Sequence, residues 1–541
     1  MNLWKACKRG WDDELGREGE KRLLLRCLAF TFFWGLLAHA YGFLQDSFSH
    51  DMLNALYADG VEVYWKMQLG RFGTVLYRRL VRLPLTMPWL LGLLSLGWMS
   101  LALYLTAKLL ALRSRFALFL TAGLFAVNLS VTAMTATYLY EMDMNMLALL
   151  GAAAAAFLWA RYGWLGALLG GAALTGVLSL YQSFLSVAIV LVMLLCLRRL
   201  FEGARFREVF LPGLRSLVMF ALGGGLYYAL LRLMVRLKDI PLDTGTTNSV
   251  YQVFAESAKA PGLGETLAAV YRNVSAAFFD PAASHLSAGA VPCNLILLAL
   301  ALGLLLRFLL RRDRGPAEKL LALVLVLLLP LGANVSRLLR ERSAHDIMKY
   351  AFWLLYLLPL LLLQSAGLRR GGRALRALAT LCACVLLWGG VQTANALYVK
   401  KDLEQDAALS LMTRVLGRIE AEPDYVPGET ELVFVGADGT LNDSVYGFEA
   451  FSNITGAEFP NAIPYSDASY YYNAYAAYFR YVLNTRIALA DPWRWMALHE
   501  DARVAAMPAY PAADCIREID GVWVVKLGEP VDWSKILGGS T

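Results

Sequence analysis

Long apolar runs separated by short basic or polar stretches set the pattern of the first 396 residues. Several of them, among them Leu90–Leu110, Leu211–Met234, Cys293–Leu310 and Leu320–Val335, approach or exceed the roughly 18 to 20 residues that a helix needs to cross a hydrocarbon layer. Read with a hydropathy window, the chain predicts about eleven spans. The first six cover Arg26–Leu44, Pro88–Leu110, Phe116–Ala136, Met144–Ala160, Trp164–Leu180 and Phe184–Leu197. The other five cover Leu211–Val235, Cys293–Leu310, Lys319–Val335, Ala351–Leu368 and Leu375–Ala396. The run Cys27–Leu37 before Ala38-His39-Ala40 has the look of a signal peptide. The long mixed-charge segment Met1–Arg26 ahead of it favours a first anchor instead.

Beyond residue 396 the pattern changes. Asp402–Thr541 is aromatic and polar, with strand-like alternation. Glu431–Gly436 (ELVFVG) reads as a buried strand ending in glycine and Gly521–Leu527 as another, with helical stretches between. The expected fold is mainly α. It comprises a cytoplasmic amphipathic segment (1–25), a polytopic membrane helix bundle (26–396) and a small extracytoplasmic α/β domain (397–541).

Composition agrees with lipid as the solvent: 58% of residues are hydrophobic, 17% are charged, and mean hydropathy is +0.49. A net charge of +7 would suggest nucleic acid in a soluble protein, but here it follows from topology, and no nucleic-acid partner is expected. Arg113/Arg115, Arg161, Arg198/Arg199/Arg205/Arg207, Arg311/Arg312/Arg314 and Arg369/Arg370/Arg373/Arg376 fall on alternate connections. The basic stretch Lys5–Arg26 shares their side, which places the N-terminus in the cytoplasm and, with an odd span count, the tail outside. A multi-pass protein of the plasma (inner) membrane is expected. The tail contains one cysteine, Cys515, so no disulfide framework is predicted. Cys382 and Cys384, inside an apolar run, read as buried small residues rather than metal ligands.

The outer connections break the charge rule. Gln45–Met87 contains Asp46, His50, Asp51, Lys66, Arg71, Arg78, Arg79 and Arg82; Arg236–Pro292 and Ser336–Lys349 are also basic. Cations near the outer boundary suit an anion such as a lipid phosphate. Snorkelling is the competing reading for Arg78, Arg79 and Arg82, and the two stand level for Arg337, Arg340 and Arg342.

There is no HExxH, GxSxG or Walker sequence, so candidate chemistry rests on acids at the outer boundary. Asp51, after His50, falls just beyond the first span, where a carboxylate can take a proton from an attacking hydroxyl. Glu141 and Asp143 lie in Tyr138–Asn145 (YLYEMDMN), the turn before the fourth span. Two residues apart, they do not share a helix face; Asp143 either caps the fourth span or belongs to a site. Tyr181-Gln182 heads the sixth span, where Gln182 pairs with a substrate hydroxyl or packs between helices. His345 and Lys349 are spaced to share a helix face suited to phosphate. Gly166, Gly170 and Gly171 let helices approach closely, and His39 reads as a satisfied polar group within the first span.

In their order, these features resemble the type-II serotype-converting O-antigen glucosyltransferase family, polytopic enzymes of the GT-C class. The likeness is carried by Asp51 in S-H-D, Gly70-Arg71-Phe72, Tyr138–Asp143 (Y-x-Y-E-x-D), Leu180-Tyr181-Gln182-Ser183 and the closing stretch Pro511–Leu527. Phe72 stands where the family more often has Trp, and Asp51 is alone where the family often has two acids. The resemblance implies transfer of glucose or a related hexose from a polyprenyl-phosphate donor to a cell-surface glycan on the outer face, with inversion. Asp51 would be the base, and Asp143 would help hold a substrate. Arg71, Arg340, Arg342, His345 and Lys349 would hold the donor phosphate, with His50, Glu141, Tyr181 and Gln182 around the substrates. No cofactor is required, although some GT-C relatives use a divalent cation. The rivals are a lipid-linked-glycan flippase, which predicts inverted repeats and mid-span acids not found here, and a glycan ligase or polymerase, which sequence separates poorly.

Overall fold

The computed structural model describes residues 19–45, 52, 65–82, 86–238, 262–281, 287–339, 345–366, 372–436 and 468–529. The protein is mostly helical. Among the described residues, nine helices are long and apolar enough to cross a membrane. Each of the predicted spans falls largely or wholly on helix. The main elements are α1 (Glu20–Leu44), α2 (Phe72–Val81), α3 (Pro88–Leu109), α4 (Arg115–Ala126), α5 (Leu129–Thr137) and α6 (Leu139–Leu180). They continue with α7 (Leu185–Glu202), α8 (Phe206–Lys238), α9 (Leu263–Phe279), α10 (Ala290–Leu309) and α11 (Pro316–Ala333). The shorter apolar stretch α12 spans Tyr350–Ser365, and α13 is the long helix Gly372–Glu420.

Two of the predicted spans are halves of α6, which reverses at Tyr162-Gly163. Gly163 has φ +60°, a conformation that glycine adopts without the Cβ penalty. The halves then pack closely: a Cβ on Gly166 would lie 2.0 Å from the Leu158 carbonyl oxygen, and one on Gly170 2.9 Å from that of Ala155. On its other side Gly171 faces Gly223 and Met219 of α8. The close-approach role expected of these glycines is what they perform. His39 is buried, with its Nε2 2.8 Å from the Ala126 carbonyl, a satisfied polar group as expected. Cys382 is buried but Cys384 is exposed, because residues two apart on α13 point to different sides.

The chain divides into two compact units. The larger takes residues up to Asn395, apart from the short pieces Gln45–Tyr57 and Ala136–Tyr140, which belong with Ala396–Thr541 in the smaller. The smaller unit contains a four-stranded sheet of order β2-β1-β4-β3, formed by β1 (Glu431–Val435), β2 (Ala488–Leu489), β3 (Ile516–Ile519) and β4 (Val522–Lys526). β1 runs parallel to β2 and β4, and β3 pairs antiparallel with β4. Phe434 stacks on Tyr475 at 4.7 Å, and Trp495 lies fully buried beside them. The buried Lys526 ammonium is hydrogen-bonded by backbone, donating to the Ala505 and Met507 carbonyls at 2.8 and 2.7 Å. At the other end of the unit the Lys401 ammonium bonds the Ala136 carbonyl.

Candidate functional site

The site is built around α2, starting from the turn that precedes it. A helical turn over residues 65–68 ends at Gly70, whose φ is +72°. The Gly70 N–H donates to Met67 O at 2.9 Å and the Arg71 N–H to Lys66 O at 2.7 Å. This is a Schellman cap, which calls for a left-handed residue at the position Gly70 occupies. It explains the order Gly-Arg-aromatic: glycine turns the chain, arginine emerges from the cap, and the aromatic opens the next helix. The Arg71 carbonyl is then taken by the N–H and hydroxyl of Thr74, at 3.1 and 2.7 Å.

α2 is amphipathic in an unusual sense. Thr74, Tyr77 and Arg78 face inward, while Leu76, Leu80 and Val81 are exposed at 60%, 75% and 47%. Exposed leucines beside an inward arginine suit a helix lying in a lipid boundary, with its polar groups turned to the protein. Snorkelling is therefore not what Arg78 and Arg82 do. Both are buried, whereas Arg79 is exposed.

The partners come from the first turns of α6. Glu141 contacts the Lys66 ammonium and lies 3.2 Å from Arg71 Nη1. Asp143 lies 2.9 Å from Arg82 Nη1, with side-chain exposures of 0% and 1%. Because the two acids point to different sides of α6, they hold opposite ends of α2. Between the ends, the Tyr77 hydroxyl accepts from Trp98 Nε1 at 3.1 Å and hydrogen-bonds Asp143. Burial pushes the Tyr77 phenol pKa up, and the charge of Asp143 adds to the shift. Tyr77 is thus a neutral donor at physiological pH.

Arg71 differs from Arg82 in being partly open, with 19% side-chain exposure. Its guanidinium carbon sits 4.4 Å above the ring of Tyr181, a cation–π contact that fixes the plane of the fork. The Gln182 amide nitrogen donates to Leu69 O at 2.9 Å and to the Tyr227 hydroxyl at 3.1 Å. Tyr227 in turn donates to Gly70 O at 3.1 Å and stacks on Phe72 at 5.9 Å. The donors of Gln182 serve the packing alternative. The arrangement offers a rigid, partly open guanidinium on a boundary helix, which suits a phosphate or carboxylate oxygen.

The structure brings together Arg71, Glu141, Asp143, Tyr181 and Gln182. It does so with help that sequence reading did not name: the pairing of Lys66 and Arg82, and the tyrosines Tyr77 and Tyr227. Tyr227 sits in the predicted span Leu211–Val235, where a tyrosine after Gly223-Gly224-Gly225 was the one available signal.

One alternative falls away and one expectation is corrected. Asp143 does not cap the fourth span: α6 already begins at Leu139, with only Tyr138 separating it from α5, and Asp143 lies inside the helix facing Arg82. His345 and Lys349 do not share an α-helical face. His345 is extended and caps a 3₁₀ turn over Asp346–Met348, with its ring nitrogen accepting from Ile347 N. Lys349 closes that turn on Asp346 at 2.7 Å, so the local ion pair replaces the expected helix. Asp51, His50, Arg340 and Arg342 lie outside the described residues.

Comparison with known proteins agrees with the resemblance. No curated protein and no solved structure matches the chain. A family model described as Glucosyl transferase GtrII matches residues 40–385, more than half of the chain and every residue of the ion-paired site. The match stops short of the tail, including the Pro511–Leu527 stretch that also carried the likeness. With its membrane-length apolar helices, the chain belongs to the GtrII glucosyl transferase family and is a membrane glycosyltransferase.

Proposed function

We propose that the protein moves a hexose, glucose first among them, from a polyprenyl-phosphate donor to a cell-surface glycan at the extracytoplasmic face of the plasma membrane, as a GT-C-type enzyme. The observation that carries the reading is Arg71: a guanidinium fixed by Glu141 and Tyr181, partly open, on a helix with exposed leucines. A ligand with an anionic head and an isoprenoid chain matches both features. Nucleotide sugars are absent outside the cell, so a lipid phosphate is the natural leaving group there.

In this reaction Asp51 takes the proton of an acceptor hydroxyl as its oxygen attacks the anomeric carbon. The bond from that carbon to the phosphate oxygen breaks, and the configuration inverts. The departing polyprenyl phosphate gains negative charge, which a nearby arginine stabilises more in a dry site than in water. Arg71 is assigned to that oxygen, with Arg340, Arg342, His345 and Lys349 as further phosphate contacts. Glu141 and Tyr181 orient Arg71, and Asp143 acts through Arg82 on the placement of α2. His50 belongs with Asp51 on the acceptor side. Lipid surrounds the helices, nucleic acid plays no part, and the chemistry asks for no cofactor; assay in EDTA decides whether a divalent cation contributes.

The test uses purified full-length protein, wild type and Asp51→Asn, with radiolabelled polyprenyl-phosphate glucose and extracted surface glycan. Label entering glycan with wild type and not with the variant is the expected result. No transfer from any polyprenyl-phosphate hexose, with intact binding of a larger lipid-linked glycan, overturns the reading in favour of a ligase or flippase.

A further inference from the structure

We infer that Tyr227, on α8, is a positioning residue for the donor-binding arginine: together with Gln182 it holds the Schellman turn that presents Arg71. The inference rests on the assignment of Arg71 to the donor phosphate and adds to it a residue nearly 160 positions away in sequence.

The Schellman cap satisfies the N–H groups of Gly70 and Arg71. It leaves the carbonyls of Leu69 and Gly70 to find partners, and buried carbonyls rarely go without one. Both are met by side chains from other helices. Gln182 donates to Leu69 O at 2.9 Å and Tyr227 to Gly70 O at 3.1 Å, while a second Gln182 N–H donates to the Tyr227 hydroxyl at 3.1 Å. The two side chains and two carbonyls thus form one chain of hydrogen bonds, in which the Tyr227 hydroxyl both accepts and donates. Stacking of Phe72 on the Tyr227 ring, at 15° between planes, fixes the residue on the other side of Arg71. Gly73 presses against Ser179 closely enough that a Cβ there would come within 2.3 Å of its hydroxyl oxygen. The backbone on both sides of Arg71 is therefore held from outside the segment, and its guanidinium is held separately by Glu141 and Tyr181.

A glycine in the left-handed region has many other conformations open to it. Without the two carbonyl contacts, the Gly70 turn keeps its own cap and the packing of Phe72 and Gly73 but loses the bonds that fix its carbonyls. The guanidinium would then sample positions away from the donor oxygen, and the loss would appear in donor binding.

The experiment compares wild type, Tyr227→Phe, Arg71→Ala and the double variant, as full-length protein in lipid nanodiscs, with polyprenyl-phosphate glucose as the probe. Tyr227→Phe keeps the stack on Phe72 and removes only the hydroxyl. It is expected to raise the donor KM about tenfold, roughly 1.4 kcal/mol, for the loss of the hydroxyl's two hydrogen bonds, from Gln182 and to Gly70 O. kcat should fall with it by a few-fold, because Arg71 also meets the charge that develops on the departing phosphate, while the acceptor KM should stay within about twofold. Amide hydrogen exchange at Gly70 and Arg71 should quicken. In the Arg71→Ala background the same change should leave the donor KM where Arg71→Ala put it, because its effect passes through Arg71. A rise that persists undiminished in that background, an equal rise in the acceptor KM, or no rise at all overturns the inference. If Arg71→Ala alone leaves the donor KM unchanged, the phosphate assignment of Arg71 fails and the role of Tyr227 in donor binding falls with it. Hydrogen exchange then reports separately whether the hydroxyl holds the turn. Tyr227→Leu, which also removes the stack, separates loss of folding from loss of positioning through its thermal midpoint.

Discussion

At one end of α2, Arg82 meets Asp143 with side chains 1% and 0% exposed; at the other, Arg71 meets Glu141 with the arginine 19% open. The residue types and the spacing from α6 are alike, yet the two pairs can do different things. A pair sealed from solvent and substrate contributes to placing the helix and offers nothing to a ligand. A pair with one partly open guanidinium keeps donors available while the carboxylate fixes their direction. Proximity of Arg to Asp or Glu thus does not tell the two ends apart; residual exposure does.

The comparison is most sharply tested at the sealed end. Asp143→Ala leaves Arg82 buried without its carboxylate, which costs about 3–5 kcal/mol, and the expected outcome is loss of folded protein in a thermal-shift or yield assay. Pairing it with Arg82→Met should recover much of that stability, and failure to recover any would show that Asp143 does more than balance a charge. At the open end, Glu141→Gln should lower the thermal midpoint less than Asp143→Ala does, because the amide oxygen still accepts from Lys66 and Arg71, while kcat/KM for the donor falls about ten- to a hundredfold, roughly 1.4–3 kcal/mol of lost orientation. If Glu141→Gln unfolds the protein as Asp143→Ala does, the distinction between the ends is gone. Arg71→Lys keeps the charge but gives up the planar fork over Tyr181, and a rise in donor KM of about tenfold is expected from steady-state kinetics. The smallest effect belongs to the middle of the helix. Tyr77→Phe removes the hydroxyl shared by Trp98 and Asp143, for about 1 kcal/mol of stability, read as a shift of the thermal midpoint with kinetics preserved.

Local pattern reached some of this and not the rest. The apolar runs marked the helices because length and hydropathy alone decide them, and Glu431–Gly436 marked a strand by its apolar run and terminal glycine. The spacing of Glu141 and Asp143 said that they point apart. It could not say that each finds a cation between 61 and 75 positions earlier, because ion pairing across helices depends on tertiary packing. Tyr227 was hidden for the same reason: inside an apolar run, a tyrosine that supports a distant turn looks like one facing lipid. His345 and Lys349 were misread because i,i+4 spacing assumes a helix, and Asp346 supplied a local partner that closed a 3₁₀ turn instead.

The reversal of α6 at Tyr162-Gly163 has a consequence for how this stretch can vary. Two apolar halves joined with no loop have no slack between them, so the glycine seam is set by the number of residues across the turn. Adding one residue after Gly163 would turn the second half by about 100° about its axis. That would carry Gly166 and Gly170 away from the Leu158 and Ala155 carbonyls and swing Gly171 off α8. The hairpin therefore acts as a length gauge: this stretch of the gene can change letters far more readily than it can change their number.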